Sequence, residues 1–175
     1  MRLVALVLAG MALVLLLASG VALAITKIGT NGPDTLMGTN GSDKLLGKGR
    51  SDWIDGRGGN DVIRGGRGND EPLSAATGNL DGGGGADVIS GGPGTDLLAD
   101  GPEDDSAVDR LMGNKGNDWL FSANRPAARD FVSCGAGRDN GEADRKDIVR
   151  DNCERVRRTT PKPPKPPPPG PQPID

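Results

Sequence analysis

The chain repeats itself every nine residues. From residue 29 to residue 73 it divides into GTNGPDTLM, GTNGSDKLL, GKGRSDWID, GRGGNDVIR and GGRGNDEPL. Gly opens each unit and Asp stands sixth, at Asp34, Asp43, Asp52, Asp61 and Asp70. A large aliphatic stands eighth in the first four units, at Leu36, Leu45, Ile54 and Ile63, and Pro72 takes that place in the fifth. Self-similarity at a fixed short period defines architecture before any single residue does, and it points to a solenoid.

The frame continues with interruptions. Residues 74–81 read as a degenerate half-turn, with Gly78 where Asp is expected and Leu80 keeping the apolar place. Well-formed units follow around Asp87 and Asp96. After a short insert at 100–103 come DDSAVDRLM, carrying Asp109, and GNKGNDWLF, carrying Asp118. After another insert at 122–124 come RPAARDFVS with Asp130, CGAGRDNGE with Asp139, and a last unit around Asp147 and Val149.

A nine-residue unit has room for one tight turn and one short strand. The last three positions make the strand, with the eighth side chain inward and its neighbours outward. Gly at positions one and four, with Asn or Gly at three, is predicted to supply the positive φ of the turn. Two units make an eighteen-residue coil, and coils stack at about 4.8 Å. The predicted fold class is therefore all-β, a parallel β-roll (β-solenoid). Turns eighteen residues apart would align their carboxylates in two files. One is Asp34, Asp52, Asp70, Asp87, Asp109, Asp130; the other is Asp43, Asp61, a gap at Gly78, then Asp96, Asp118, Asp139. Like charges at strand spacing repel unless cations lie between them. Carboxylate and carbonyl oxygens are hard ligands suited to Ca²⁺, and with His absent and Cys 2 in the whole chain, Zn²⁺ and Cu²⁺ chemistry is disfavoured.

The frame GGxGxDxUx resembles the haemolysin-type calcium-binding repeats of the RTX family, over residues 29–149. The resemblance implies a parallel β-roll with Ca²⁺ held between successive turns by the sixth-position Asp and turn carbonyls. Carried onto this chain, the metal-binding residues are Asp34, Asp43, Asp52, Asp61, Asp70, Asp87, Asp96, Asp109, Asp118 and Asp139. The chain departs from the pattern at Arg50, Ala107 and Ala128, which replace the fourth Gly before Asp52, Asp109 and Asp130, and at Gly141, which replaces the inward aliphatic after Asp139. Many RTX proteins leave the cell by an uncleaved C-terminal signal and append the repeats to a catalytic or pore-forming domain. Here an N-terminal signal is expected instead, and no such domain is evident.

Residues 1–24 read as a cleaved signal peptide: Arg2, an apolar run, then Ala22-Leu23-Ala24 as the cleavage site. An uncleaved anchor is the competing reading, since residues 3–25 carry no charge. Beyond residue 24, Leu, Ile, Val and Phe make up only about 16% of the chain, under the rough 20% typical of disordered sequences. Burial alone cannot offset the ordering entropy of such a chain, so other interactions must hold it together. The roll is predicted to span 25–156, and 157–175 to be a disordered Pro-rich tail in polyproline II conformation. In an exported chain Cys134 and Cys153 are expected to form a disulfide closing a loop of about 20 residues, stabilising the weakest end by roughly 3 kcal/mol.

Function follows from the same residues. The leading reading is a secreted Ca²⁺-binding roll that folds when it meets extracellular Ca²⁺. The alternative is a cell-surface or wall adhesion module using the roll as a rigid scaffold. Trp53, Trp119 and Phe131, all at position seven, are expected to cover the sheet surface. The formal net charge of −3 argues against a nucleic-acid stripe. A carboxylate hydrolase is disfavoured, because the Asp residues are committed to turns and the aromatics are too few to line a cleft. No enzyme activity and no membrane span after signal cleavage are expected.

Overall fold

The computed structural model describes residues 23–70, 80–102, 106–124, 127–150 and 152–159. All but the last two residues of the expected signal peptide, and the tail from 160 onward, lie outside these. Fourteen strands are named among the described residues. They begin β1 (Thr26–Ile28), β2 (Thr35–Met37), β3 (Lys44–Gly49), β4 (Trp53–Asp55) and β5 (Val62–Arg67). Then come β6 (Leu80–Asp81), β7 (Val88–Pro93), β8 (Leu97–Ala99), β9 (Arg110–Lys115) and β10 (Trp119–Ser122). The last four are β11 (Phe131–Ala136), β12 (Asn140–Asp144), β13 (Ile148–Val149) and β14 (Arg155–Thr159), so regular structure runs past the boundary expected at 156.

Odd-numbered strands form one seven-stranded sheet in the order β1-β3-β5-β7-β9-β11-β13, and even-numbered strands form the other. Every pairing is parallel. The fold is thus an all-β parallel solenoid, as the period predicts: successive units alternate between the two sheets, and each strand pairs with the strand two units away.

Between the sheets runs a single column of side chains from the eighth positions: Leu36, Leu45, Ile54, Ile63, Leu80, Ile89, Leu98, Leu111, Leu120 and Val132. Most are fully buried. The column ends where Gly141 offers no side chain, and there the Cys134–Cys153 disulfide takes over, with Cα atoms 5.0 Å apart and Cys134 fully buried. Val149 and Cys153 pack against this plug.

Two expectations about register are corrected. Asp61 is followed in its file by Asp87, 26 residues on, and Asp70 by Asp96, also 26 on, where Asp43 and Asp61 are 18 apart. Of the half-turn expected at 74–81, only Leu80 and Asp81 lie within the described residues. Leu80 takes the inward place between Ile54 and Leu98, so the eight extra residues of chain fall between Asp70 and Leu80. Everything downstream then changes file. The files are Asp34, Asp52, Asp70, Asp96, Asp118, Asp139 and Asp43, Asp61, Asp87, Asp109, Asp130, Asp147. The two later inserts also fall inside turns. Asp100 donates its N–H to the Phe121 carbonyl, as Gly82 does to Ala99 and Gly56 to Asp81. Asp100 thus stands at position one of its unit, and the same ladder bond puts Ser122 at position one of the next.

Candidate metal centre

The turn geometry also differs from expectation. Positive φ falls at positions two and four rather than at one, three and four: Lys48 (86°) and Arg50 (76°) in one turn, Gly66 and Gly68 in another, Asn114 and Gly116 in a third. Arg50 adopts the left-handed conformation that the pattern assigns to Gly. That conformation costs a non-Gly residue roughly 1–2 kcal/mol, and it leaves Asp52 in the common geometry. Position one needs Gly for a different reason, close approach. A Cβ on Gly47 would strike the Gly65 carbonyl of the next coil and Asp52 Oδ2 of its own turn.

The sixth-position carboxylates point inward. Asp52, Asp61, Asp70, Asp87, Asp96, Asp109, Asp118, Asp130 and Asp139 are all buried, and so is Asp43. In each file Oδ1 accepts the backbone N–H of the Asp one coil earlier: Asp52 from Asp34 at 2.9 Å, Asp61 from Asp43 at 2.7 Å, Asp70 from Asp52 at 2.8 Å. The same bond recurs at Asp109, Asp118, Asp130 and Asp139. At the far end Glu154 Oε2 replaces Asp and accepts from Asp139 at 3.0 Å. Fifth-position Asn side chains add a parallel rung: Asn60, Asn69 and Asn117 each accept an amide N–H from the next coil at 2.9–3.0 Å.

The second oxygen separates the turns into two kinds. In the first two, position two is Thr, and its N–H reaches back to the carboxylate: Thr30 to Asp34 Oδ2 at 2.6 Å and Thr39 to Asp43 Oδ2 at 2.5 Å, each seconded by the threonine hydroxyl at 3.1 Å. In the turns of Asp52, Asp61, Asp70 and Asp118 position two takes positive φ, and no such closing bond reaches the carboxylate. Oδ2 of Asp52, Asp61, Asp70, Asp118, Asp130 and Asp139 is buried and accepts no hydrogen bond. A buried charged oxygen without a partner costs free energy on the order of 1–3 kcal/mol or more. Burial pushes Asp61, Asp70 and Asp118 up to about 6, against the lowering effect of the amide bond each accepts.

This donor set fits Ca²⁺: hard anionic oxygens, one per turn, set against main-chain carbonyls and withheld from water. When bound, the ion supplies positive charge to the carboxylate file. The chain's own residues contribute the fixed oxygens and the glycine-lined clearance that lets them sit so near the backbone.

Where Gly is missing from position one, side chains fill the clearance. Asp100 stands there in one file, and one carboxylate oxygen from each of Asp100, Asp109 and Asp130 lies within 4.8 Å of the others. Burial, reinforced by the Asp130 and Asp109 charges, pushes Asp100 up to about 8; Asp130 rises to about 7, chiefly through burial. Ser122 fills the next position one and donates to Asp147 Oδ2 at 2.9 Å, and the Asp144 N–H donates to the same oxygen at 2.8 Å. Cys134 fills the other file's last position one with the disulfide. Asp100, Ser122, Asn124 and Glu154 were not expected to belong to the site. Only their spacing from a neighbouring Asp signals them, and the inserts obscure that spacing.

On the outer faces, Trp119 stacks on Phe121 with ring centroids 6.4 Å apart, and the Arg110 guanidinium lies 4.9 Å above the Phe131 ring. Two of the three position-seven aromatics, Trp119 and Phe131, thus lie on the outer sheet faces. Among the described residues no helix is long and apolar enough to cross a membrane.

Four copies of the RTX calcium-binding nonapeptide repeat are recognised in the chain, at residues 28–49, 37–71, 78–99 and 104–123. Neither a curated protein nor a solved structure shows a significant match. The buried carboxylate files, the glycine clearance and these matches converge: the repeats belong to the RTX calcium-binding nonapeptide family, and the chain is a Ca²⁺-binding β-roll that takes multiple ions.

Proposed function

We propose that the protein is secreted and works as a β-roll that folds on meeting extracellular Ca²⁺, with no catalytic step of its own. Its ligands are the sixth-position carboxylates, with turn carbonyls completing each site. The observation that carries this reading is the set of buried Oδ2 atoms of Asp52, Asp61, Asp70, Asp118, Asp130 and Asp139, which an ion-free fold leaves without a hydrogen bond. Sites of extracellular type have affinities around 10⁻⁴–10⁻³ M, so the scarce Ca²⁺ of a cell interior would leave them empty. Binding energy would then act as folding energy outside the cell. The N-terminal segment supports export, and residues 1–24 serve as its signal in this reading. Far-UV circular dichroism in EDTA and then in millimolar Ca²⁺ tests it; a spectrum already β-rich and unchanged by Ca²⁺ would overturn coupled folding.

One observation favours a second use, adhesion to a wall or surface polymer. The Trp119–Phe121 pair sits on an outer groove beside Asn140 and the Glu142–Arg157 ion pair at 3.4 Å, with Trp119 half exposed. Cell-wall pull-down with wild type and Trp119→Ala in saturating Ca²⁺ tests it, and equal retention removes the groove from the function.

A further inference from the structure

Asp100 occupies a place that the repeat reserves for Gly. In its file the position-one residues Gly38 and Gly56 lie so near the next coil that a Cβ would meet that coil's carbonyl and their own turn's Asp. At Asp100 the turn is lengthened, and a carboxylate enters this space instead of leaving it open. Its neighbours are Asp109, the sixth-position residue of the same turn, and Asp130, its counterpart one coil on, with the three carboxylates converging within 4.8 Å. All three are buried, at 4%, 0% and 0% exposure. Asp130 keeps Oδ1 on the Asp109 amide at 2.8 Å, while its Oδ2 is buried and accepts nothing. Asp100 is held in place from outside the trio. Asn124 Nδ2 donates to Asp100 Oδ2 at 3.3 Å, and Asn124 Oδ1 is itself fixed by the Ala128 N–H at 3.0 Å.

We propose that Asp100, Asp109 and Asp130 form a divalent-cation site of a different construction from the glycine turns, built from three side-chain carboxylates, which fills with Ca²⁺ before the turn sites do. The inference rests on the reading of the roll as a Ca²⁺ binder. Oxygens this close are spanned by one ion with Ca–O distances of about 2.3–2.6 Å. Affinity for Ca²⁺ rises with ligand charge count and with rigidity of the site. Here one ion faces three carboxylates on adjacent coils, with Asn124 locking the added one. The inserts that interrupt the repeat at this edge supply both Asp100's clearance and Asn124. They make a site where the fourth-position Gly is lost to Ala107 and Ala128.

Equilibrium dialysis of the full chain against Ca²⁺, for wild type, Asp100→Asn and Asp100→Gly, tests this. The expected result is a tightest binding class in wild type that weakens at least tenfold in both variants, with one fewer ion bound at subsaturating Ca²⁺ and the remaining sites kept. Unchanged tightest affinity and ion count in both variants would overturn the site and leave the turn sites standing. No Ca²⁺ bound by wild type would overturn the calcium reading of the whole roll, and this site with it. Should the variants fail to fold, wild-type crystals grown with Tb³⁺ decide the matter. An anomalous peak among the three carboxylates supports the site, and peaks confined to the glycine turns overturn it.

Discussion

The two ends of the roll and its middle solve the same problem differently. All three regions bury carboxylates beside the core column. At the N-terminal end Thr30 and Thr39 turn their amides and hydroxyls back onto Asp34 and Asp43. At the C-terminal end Ser122 and the Asp144 amide pair with Asp147, and a disulfide substitutes for the missing aliphatic at Gly141. In the middle, Asp52, Asp61, Asp70 and Asp118 hold one oxygen on the neighbouring coil and leave the other buried without a donor. The first two turns are thus self-sufficient in hydrogen bonds and the middle is not, while at the C-terminal end Asp147 is paired but Oδ2 of Asp139 and of Asp144 stays buried without a donor. A repeat array needs atypical terminal units to stop it fraying, and here the N-terminal pair closes both its carboxylates with the chain's own donors, while the far end closes Asp147 and adds a disulfide. Ion dependence therefore begins at the third turn.

Chelation should break this contrast most visibly. In EDTA, amide exchange in β4 to β8 should accelerate by orders of magnitude, and more than in β1 to β3; uniform acceleration along the chain, read by mass spectrometry, would erase the distinction. Next in size is the disulfide. Cys134→Ser with Cys153→Ser should cost roughly 3 kcal/mol by the loop-entropy relation and loosen β11 to β14. Ca²⁺ binding by the middle turns should persist in calorimetric titration. Third, Asp61→Asn should raise the Ca²⁺ concentration needed for folding by about tenfold, some 1.4 kcal/mol. Asp34→Asn should leave that concentration nearly unmoved and cost only about 1 kcal/mol for its lost capping bonds. A dialysis midpoint shifted equally by both would put the first turn among the ion-dependent ones.

The smallest effect expected is that of pH on the ion-free chain. In the fold Asp61, Asp70 and Asp118 are raised to about 6, and Asp130 to about 7, while unfolded Asp titrates near 3.9. Between about pH 4 and 7 the folded chain therefore holds more protons than the unfolded one, and its stability falls as pH rises. Acidifying an EDTA-treated sample from pH 7.5 to 5 should raise its β content. With Ca²⁺ present the trend should reverse, because protons then compete with the ion for the same oxygens.

Much of this was readable in the sequence, because a period is a geometric statement. The nine-residue spacing placed Leu36 through Val132 on one internal column and made each sixth residue a file member. Parity was not readable. The stretch between Asp70 and Leu80 adds nearly one unit to the chain, and Leu80 fits the apolar position whether that stretch counts as a unit or not. Only hydrogen bonding distinguishes the two, and it moved Asp87, Asp96 and their successors to opposite files. The role of position one was hidden for a related reason. Gly is used there for clearance, which depends on the next coil, and not for backbone conformation, which is local. Asp100 and Ser122 looked like insert residues because the frame identifies a place by its Gly, and these side chains occupy the same place without one.

From Asp52 to Asp139 an aspartate in a file lies in one turn and accepts through Oδ1 the amide of the coil before it. Fixing one carboxylate therefore presents a correctly placed acceptor to the amide of the aspartate one coil earlier, and lowers the entropic cost of ordering that turn. Loading should then spread from rung to rung like a zip fastener. Across a narrow range of calcium concentration, a string of individually feeble sites would answer as one steep response.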